Sequence, residues 1–399
     1  YLHSGVLEKK PEMKEKYFCI VEDEAQYLIT RNVTKMLAVL MVDFSCALKL
    51  SMPIAVLSAM RESSSHHISV KGGRFLEAVA QANTIVFDKT GTLTYATPKV
   101  AQIITFGGNE ESEMLRLAAC LEEHYPHSIA NAVVAEAKDR GLTHEEYHSQ
   151  IQYVVAHGIS SMVDDKKVLI GSAHFVFEDE GCRVPEGEED KLESLPPEHS
   201  HLYLCTAGEL AAVICIHDPL RKEAKAAVRA LHELGIDKVV MMTGDSRKTA
   251  EAVAAEVGVD AVYAEVLPED KANFVREAKA EGHTVIMVGD GVNDSPALSE
   301  ADVGIAISTG AAIAREIADI TIASEDLFEL VTLRHLSEAL MARIHRNYRT
   351  IVGFNLGLIV FGVAGILPPT TSALLHNAST LAISLKSMTN LLPEAETAP

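Results

Sequence analysis

Basic residues are scarce in this 399-residue sequence, and their shortage excludes one large class of partners. The chain has 35 Lys and Arg against 56 Asp and Glu, which gives a formal net charge of −21 at pH 7. Nucleic-acid binding depends on basic patches that neutralise phosphates. The composition therefore argues against a nucleic-acid partner.

Cysteine pairs at metal or redox spacing are also missing. The cysteines are spread along the chain without a Cys-x-x-Cys pair, at Cys19, Cys46, Cys120, Cys182, Cys205 and Cys215. This spacing is typical of reduced, mostly buried thiols in a cytosolic compartment, and not of a disulfide framework. The chain begins at Tyr1 without a signal peptide, so we expect a fragment of a longer protein.

The most informative stretch is the run Asp88-Lys89-Thr90-Gly91-Thr92-Leu93-Thr94. It follows the apolar residues 84–87, which predict a buried parallel strand leading into a glycine-containing turn. Open α/β sheets place their chemistry at the carboxyl ends of such strands. An Asp there can attack a phosphoryl group and form an aspartyl-phosphate, although a lone Asp in this position is more often a turn residue.

After Asp218, predicted helices alternate with predicted strands. The helices are expected over 222–234, 247–257 and 271–281, and the strands over 238–242 and 284–288. Such alternation indicates a parallel α/β sheet with right-handed crossovers, and the strand before Asp88 is expected to join it.

Residues 98–212 differ from this pattern and predict a separate inserted domain. Helices are expected over 113–121 and 128–140, followed by short strands over 151–155, 167–170, 201–206 and 210–215. A loop rich in Glu, Gly and Pro separates the strands and is expected to be solvated. Mixed helices and strands of this kind indicate an α+β domain.

Further motifs along the sheet supply groups suited to phosphoryl transfer. They are Thr243-Gly244-Asp245, Leu267-Pro268-Glu269-Asp270-Lys271 and Gly289-Asp290-Gly291-Val292-Asn293-Asp294. The Thr243 hydroxyl and nearby amides can hold phosphoryl oxygens, and the Lys271 ammonium can offset negative charge near Asp88. We expect Asp290 to bind Mg²⁺ and Asp294 to lie near it, because Mg²⁺ favours one or two carboxylates with phosphate and water. Each motif alone could be a strand-to-helix turn.

In this order the motifs resemble the phosphorylation signature of P-type ATPases, within the haloacid-dehalogenase-like (HAD-like) superfamily. The resemblance implies that Asp88 is the nucleophile, that Thr243, Asp245 and Lys271 are catalytic, and that the Thr90 carbonyl is a further Mg²⁺ ligand. Soluble phosphatases of that superfamily carry an acid where this chain has Thr90. Because a hydroxyl is a poor general base at neutral pH, the phosphoenzyme is expected to persist.

The inserted domain is expected to bind ATP. Residues 121–130 resemble the Glu-x4-His-Pro element of heavy-metal (P1B-type) pumps, with Glu122 and His127 at the matching spacing and Ser128 replacing the Pro. Gly158 and Gly171 would allow the backbone to approach adenine closely. Arg221, in a motif resembling the hinge that returns to the phosphorylation domain, is a further candidate nucleotide contact.

Long apolar stretches at residues 36–60, 351–367 and 371–392 predict membrane spans. The Arg residues that precede the second stretch, Arg343, Arg346 and Arg349, place the preceding region in the cytoplasm. Buried core helices are the alternative interpretation.

The resemblance also suggests ligands for a transported cation. Cys46 lines up with a family Cys, although the usual preceding Pro is missing, and Asp43 is a weaker candidate. His376 and Thr380 match a His-Glu-Gly-Gly-Thr signature of cobalt-type pumps. One thiolate, one imidazole and oxygens suit Zn²⁺, Co²⁺, Ni²⁺, Fe²⁺ or Mn²⁺ better than Cu(I).

The resemblance covers about 34–392 and implies a fold of three parts. The first is an α/β HAD-like Rossmannoid phosphorylation domain, formed by 62–97 and 213–330. The second is the inserted nucleotide-binding domain, 98–212, and the third comprises transmembrane helices at 34–61 and 331–392. Residues 1–33 are an unassigned remnant and 393–399 a tail.

The implied function is ATP- and Mg²⁺-dependent transport of a transition-metal cation across a membrane through an aspartyl-phosphate. The protein would be multi-pass in the lipid bilayer, with its catalytic domains in the cytoplasm. No Thr-Gly-Glu of an actuator domain occurs, so an incomplete cycle is expected in this chain. A HAD-like soluble-type phosphatase and a non-pumping nucleotide-binding membrane fragment are the alternatives.

Overall fold

The computed structural model divides the chain into two units. It describes residues 33–42, 44–124, 128–142, 148–154, 158–163, 166–290, 294–307, 316–324 and 326–393. One unit comprises Tyr1–Ala80 with Leu333–Pro399, and the other comprises Gln81–Thr332. The predictions for Asp43 and His127 lie outside the described residues.

Helices dominate the described part of the first unit. In chain order it contains α1 (Val33–Leu40), α2 (Phe44–Ser65), β1 (Ile68–Val70) and α3 (Gly73–Gln81), and it closes with most of α11 (Phe328–Val363) and with α12 (Pro369–Ser387). The stretch predicted as one helix over 34–61 is two helices, because α1 ends at Leu40. Among the described helices, none combines the length and apolar character needed to cross a membrane.

A parallel sheet forms the core of the second unit. Its strands in the described residues are β2 (Thr84–Asp88), β9 (Lys238–Met242), β10 (Ala261–Tyr263), β11 (Val285–Gly289), β12 (Val303–Ile307) and β13 (Ile320–Ile322). They run in the spatial order β13-β12-β11-β2-β9-β10. The central strands are buried along their whole length, as expected for a sheet covered on both faces.

Helices connect these parallel strands, which confirms the predicted α/β alternation. They are α7 (Ala224–Glu233), α8 (Arg247–Val257), α9 (Pro268–Ala280) and α10 (Ser295–Glu300). Val275 of α9 packs in one buried apolar cluster with Val86 of β2 and Val240 of β9. Register pairs Asp88 with Met242 and Val288 with Phe87, so the carboxyl ends of β2, β9 and β11 meet at one edge.

The inserted domain is built on an antiparallel sheet. Its described strands are β3 (Lys99–Thr105), β4 (His148–Val154), β5 (Gly158–Val163), β6 (Lys166–Gly171), β7 (Ser200–Thr206) and β8 (Glu209–His217), in the spatial order β3-β8-β7-β6-β5-β4. Helices α4 (Glu111–Glu122), α5 (Ser128–Asp139) and α6 (Glu189–Glu193) complete it. The predicted boundary at residue 212 falls inside β8, because that strand pairs with β3 as far as His217.

Two further cysteines lie side by side in the inserted domain. Cys182 and Cys205 bring their sulfur atoms together in its apolar core, with Cα atoms 6.8 Å apart. Cys120 and Cys215 are buried and take no part in a disulfide, as predicted. Cys182 and Cys205 are 23 residues apart in the sequence, and the fold of the inserted domain brings them together.

Candidate active site

Asp88 ends β2 and points the chain into a tight turn. Residues Lys89–Leu93 form this turn, in which Gly91 has φ of +73°, a conformation that a residue with a Cβ rarely adopts. The Thr94 side chain holds the turn closed, because its Oγ1 accepts from the Gly91 N–H at 3.2 Å. Asp88 is 8% exposed, so the nucleophile predicted from sequence is a largely buried carboxylate.

Lys271 joins two carboxylates at this edge of the sheet. Its Nζ donates to Oδ1 of Asp88 at 2.6 Å and to Oδ1 of Asp294 at 2.7 Å. Burial, followed by the Asp294 charge, raises the pKa of Asp88 to about 7, against the opposing effect of Lys271. Burial alone would lower the pKa of Lys271, but the charges of Asp88 and Asp294 raise it overall.

Gly91 and Gly289 leave space for the side chains of Asp290 and Asp294 beside the backbone. A Cβ on Gly91 would lie 3.2 Å from the Cβ of Asp290, which places Asp290 directly against the turn after Asp88. A Cβ on Gly289 would lie 2.5 Å from Oδ2 of Asp294. The structure therefore brings Asp88, Asp290, Asp294 and Lys271 together, as the motif order suggested.

The loop after β9 carries Thr243 and Asp245. The Thr243 side chain is buried, and its Oγ1 accepts from the backbone N–H of Asp245 at 3.1 Å. Asp245 forms an ion pair with Lys89, the residue that follows the nucleophile. Lys89 was not predicted as a site residue, although it stands inside the motif that identified Asp88.

Asp218 and Arg221 also contact the segment that contains the turn Lys89–Leu93. The Thr94 hydroxyl donates to Oδ2 of Asp218 at 2.6 Å, and burial raises the pKa of Asp218. Arg221 is buried, and its Nε donates to the carbonyl oxygen of Thr92 at 2.8 Å. The structure thus places Arg221 against the turn Lys89–Leu93, and its predicted contact with nucleotide stays a prediction.

The donor set can be tested against Mg²⁺. Oδ2 of Asp294 is buried and has no hydrogen-bond partner among the described residues. Within those residues, no three His, Cys, Asp or Glu side chains form a group that could hold a metal ion. Mg²⁺ seldom needs such a cage, because it takes one or two carboxylates with substrate phosphates and waters. The residues therefore fit an ion completed by phosphate.

A family model for haloacid dehalogenase-like hydrolases matches residues 82–302, which include the whole of this site. The chain belongs to this family. The HAD-like resemblance inferred from the motifs is thereby confirmed, and the matched range contains the inserted domain and strands β2, β9, β10 and β11 of the parallel sheet.

Relatives of this HAD-like chain are metal-transporting P-type ATPases. A manganese-exporting P-type ATPase of Mycobacterium tuberculosis is 36% identical over 359 residues, which are 89% of this chain and 50% of the relative. A copper-transporting ATPase 2 of Rhizobium meliloti is 38% identical over 339 residues, covering 85% of this chain and 40% of the relative.

A solved structure also resembles the chain. It is a zinc-transporting PIB-type ATPase in the E2.Pi state, with a TM-score of 0.68 and 32% sequence identity, covering 89% of this chain and 57% of that one. The chain spans about half the length of the curated relatives it matches.

Three of the predicted nucleotide residues, Glu122, Gly158 and Gly171, lie on the inserted domain of the HAD-like chain. Glu122 is buried at the end of α4. Gly158 pairs with Gly171 across β5 and β6. A Cβ on Gly158 would lie 2.5 Å from both the Ile170 carbonyl oxygen and Cδ1 of Phe175, so packing alone requires glycine there.

The candidates for the transported cation lie on the helical unit. Cys46 is exposed on α2, whereas His376 is buried on α12, where its Nδ1 lies 3.1 Å from Oδ1 of Asn355. The Thr380 hydroxyl donates to the carbonyl oxygen of His376 at 2.9 Å. Among the described residues these side chains do not form a group that could hold a metal ion by itself.

Proposed function

We propose that this chain is the catalytic portion of a P1B-like, metal-translocating P-type ATPase that transfers the γ-phosphoryl group of ATP to Asp88. The observation that carries the proposal is the placement of Lys271, which binds Asp88 and Asp294 together at the carboxyl ends of two parallel strands. A buried carboxylate with a cation beside it suits attack on a highly charged phosphoryl group.

The transfer needs few protein groups. A carboxylate oxygen of Asp88 attacks the γ-phosphorus, the bond to the bridging oxygen breaks, and ADP leaves. Lys271 offsets negative charge on Asp88 and on the phosphoryl oxygens, and Thr243 supplies a hydroxyl to them. Asp88, Asp290 and the Thr90 carbonyl would hold Mg²⁺, with Asp294 close to it, and the ion supplies positive charge where phosphate charge develops.

Thr90 favours a long-lived phosphoenzyme. It stands two residues after Asp88, within the turn, and its hydroxyl is a poor base for activating water at neutral pH. A phosphatase benefits from rapid hydrolysis, whereas a pump needs the intermediate to survive a conformational change. This residue therefore supports the ATPase over the phosphatase.

We further propose that the transported substrate is a transition-metal ion and that the helical unit lies in a lipid bilayer. Relatives are named for manganese and copper and a solved structure for zinc, so the names favour a transition metal without choosing one. Exposed apolar side chains on the last two helices support a bilayer, and they include Leu356, Val360, Leu374, Leu381 and Leu385. The catalytic unit would then face the cytoplasm.

Labelling with γ-³²P-ATP tests the proposal. With Mg²⁺ we expect an acid-stable label that hydroxylamine removes and that Asp88→Asn abolishes. A divalent-metal series, extended to Cu(I), identifies the ion that most stimulates formation of the label. A folded protein that takes no label at any metal concentration would sink the proposal, and rapid p-nitrophenyl phosphate turnover without a label would favour the phosphatase.

A further inference from the structure

Hydrogen bonds tie the inserted domain to the loop that carries Asp245. The Ser200 hydroxyl donates to Oδ1 of Asp245 at 3.3 Å. Next to it, the Thr249 hydroxyl donates to the carbonyl oxygen of His199 at 3.0 Å. Ser200 begins β7 of the inserted sheet, whereas Asp245 and Thr249 belong to the parallel-sheet domain. Residues 199 and 200 of the inserted domain are therefore hydrogen-bonded to this loop and to helix α8, which follows it.

Asp245 links that segment to the nucleophile. One carboxylate oxygen of Asp245 accepts from Ser200, and the other is paired with Lys89. Lys89 is 5% exposed in its side chain and follows Asp88 directly. A displacement of Ser200 would therefore displace Asp245 and, through it, Lys89, which is the residue next to the attacking carboxylate of Asp88.

The same segment is also tied to the predicted nucleotide site. Strand β7 pairs with β6, and this register sets Tyr203 opposite Gly171. Gly171 in turn pairs with Gly158 on β5. Ser200 lies three residues before Tyr203, which is about 10 Å along a strand. Because hydrogen-bonded strands of one sheet move together, the position of Ser200 determines the positions of Gly171 and Gly158.

We propose that Ser200 is a positioning residue for phosphoryl transfer. Through Asp245 and Lys89 it sets the orientation of the inserted domain relative to Asp88, so that a nucleotide held near Gly158 and Gly171 presents its γ-phosphoryl group to the nucleophile. Small errors in such alignment cost large factors in rate. This inference rests on the proposed function, since it concerns the donor that the inserted domain delivers.

Comparison of two phosphoryl donors tests the inference in the full chain. Mg·ATP must be delivered by the inserted domain, whereas acetyl phosphate can reach Asp88 by itself. With Ser200→Ala, we expect single-turnover labelling from saturating ATP to slow about tenfold, since a hydrogen bond to a carboxylate is lost. Labelling from ³²P-acetyl phosphate should stay within twofold of the unsubstituted rate, as should the affinity for ATP.

Matched variants separate positioning from damage to the fold. Ser200→Thr keeps a hydroxyl and should restore most of the ATP rate. Ser194→Ala removes an exposed hydroxyl that donates to the Lys191 carbonyl within the inserted domain, and should change neither donor's rate. Thr249→Val removes the neighbouring contact and should slow labelling from ATP selectively, as Ser200→Ala does.

The outcomes are distinct. If Ser200→Ala labels at the unsubstituted rate from ATP, or slows equally with both donors, the positioning role is overturned while the proposed function stands. If the unsubstituted chain takes no label from either donor, the proposed function fails and this inference fails with it.

Discussion

The Lys271 ammonium lies 2.6 Å from Oδ1 of Asp88, and the two side chains are 7% and 11% exposed. A carboxylate buried to this extent is costly unless a cation compensates it. Burial and the nearby Asp294 raise the pKa of Asp88 to about 7, so this single lysine does much to keep the attacking group ionised at neutral pH.

Replacing Lys271 by Met should therefore damage both catalysis and stability. Loss of the cation leaves Asp88 and Asp294 buried together, and we expect phosphoenzyme formation to fall by at least 100-fold. Breaking a buried pair of this kind costs roughly 3–5 kcal/mol of unfolding free energy at pH 8. Lys279→Met on the same helix is the control, because Lys279 is only partly buried and lies 3.4 Å from Asp302. Equal effects of the two substitutions would contradict the role of Lys271 as the cation that compensates Asp88 and Asp294.

Asp88→Asn should stabilise the Mg²⁺-free protein, in a manner that depends on pH. The folded pKa of Asp88 is about 7 against an ordinary value of 3.8, so the folded state binds this proton more tightly than the unfolded state. Burial of the Asp88 carboxylate therefore lowers the unfolding free energy of the wild type above pH 7. This loss of stability shrinks as pH falls below 7, and it is absent below about pH 3.8. Thermal unfolding of both proteins between pH 5 and 8.5 measures this, and a Tm difference that grows toward low pH would refute it.

Sequence alone predicted the framework of the site accurately. Helix α8 and strand β9 begin and end as predicted, β2 ends one residue later than predicted, and β11 is shifted by one residue at both ends. Buried parallel strands are unbroken apolar runs, and each motif directly follows one, so both are visible without tertiary information.

Contacts between distant segments were not predictable in the same way. Lys89 and Asp245 are 156 residues apart, and Ser200 reaches Asp245 from a different domain. Strand β13 has only three residues, too few to display a period. Gly158 was assigned to nucleotide approach, whereas the packing of Phe175 and Ile170 against it could be recognised only in the fold.

Gly158→Ala should destabilise the inserted domain even without nucleotide. The new methyl group would lie 2.5 Å from the Ile170 carbonyl and from the Phe175 ring, which forces β5 away from β6. Overpacking of this kind costs about 1–3 kcal/mol. Met162→Ala on the same strand is the control, because Met162 is 41% exposed. Thermal unfolding without nucleotide measures this loss of stability. An unchanged Tm together with weakened ATP binding would show that Gly158 contacts nucleotide and is not required for packing.

Thr90→Asp should convert a persistent phosphoenzyme into a short-lived one. The substitution places a carboxylate two residues after Asp88, where it can activate water, and general base catalysis contributes about 100-fold or more. Extra negative charge raises the pKa of Asp88 further and slows label formation, so decay is followed only after labelling reaches its plateau. Thr90→Asn has nearly the same shape without a transferable proton, and its label should decay at the unsubstituted rate. Chasing labelled protein with EDTA and unlabelled ATP measures each decay. Equal lifetimes for the Asp and Asn variants would show that the residue after Lys89 does not control how long the intermediate survives.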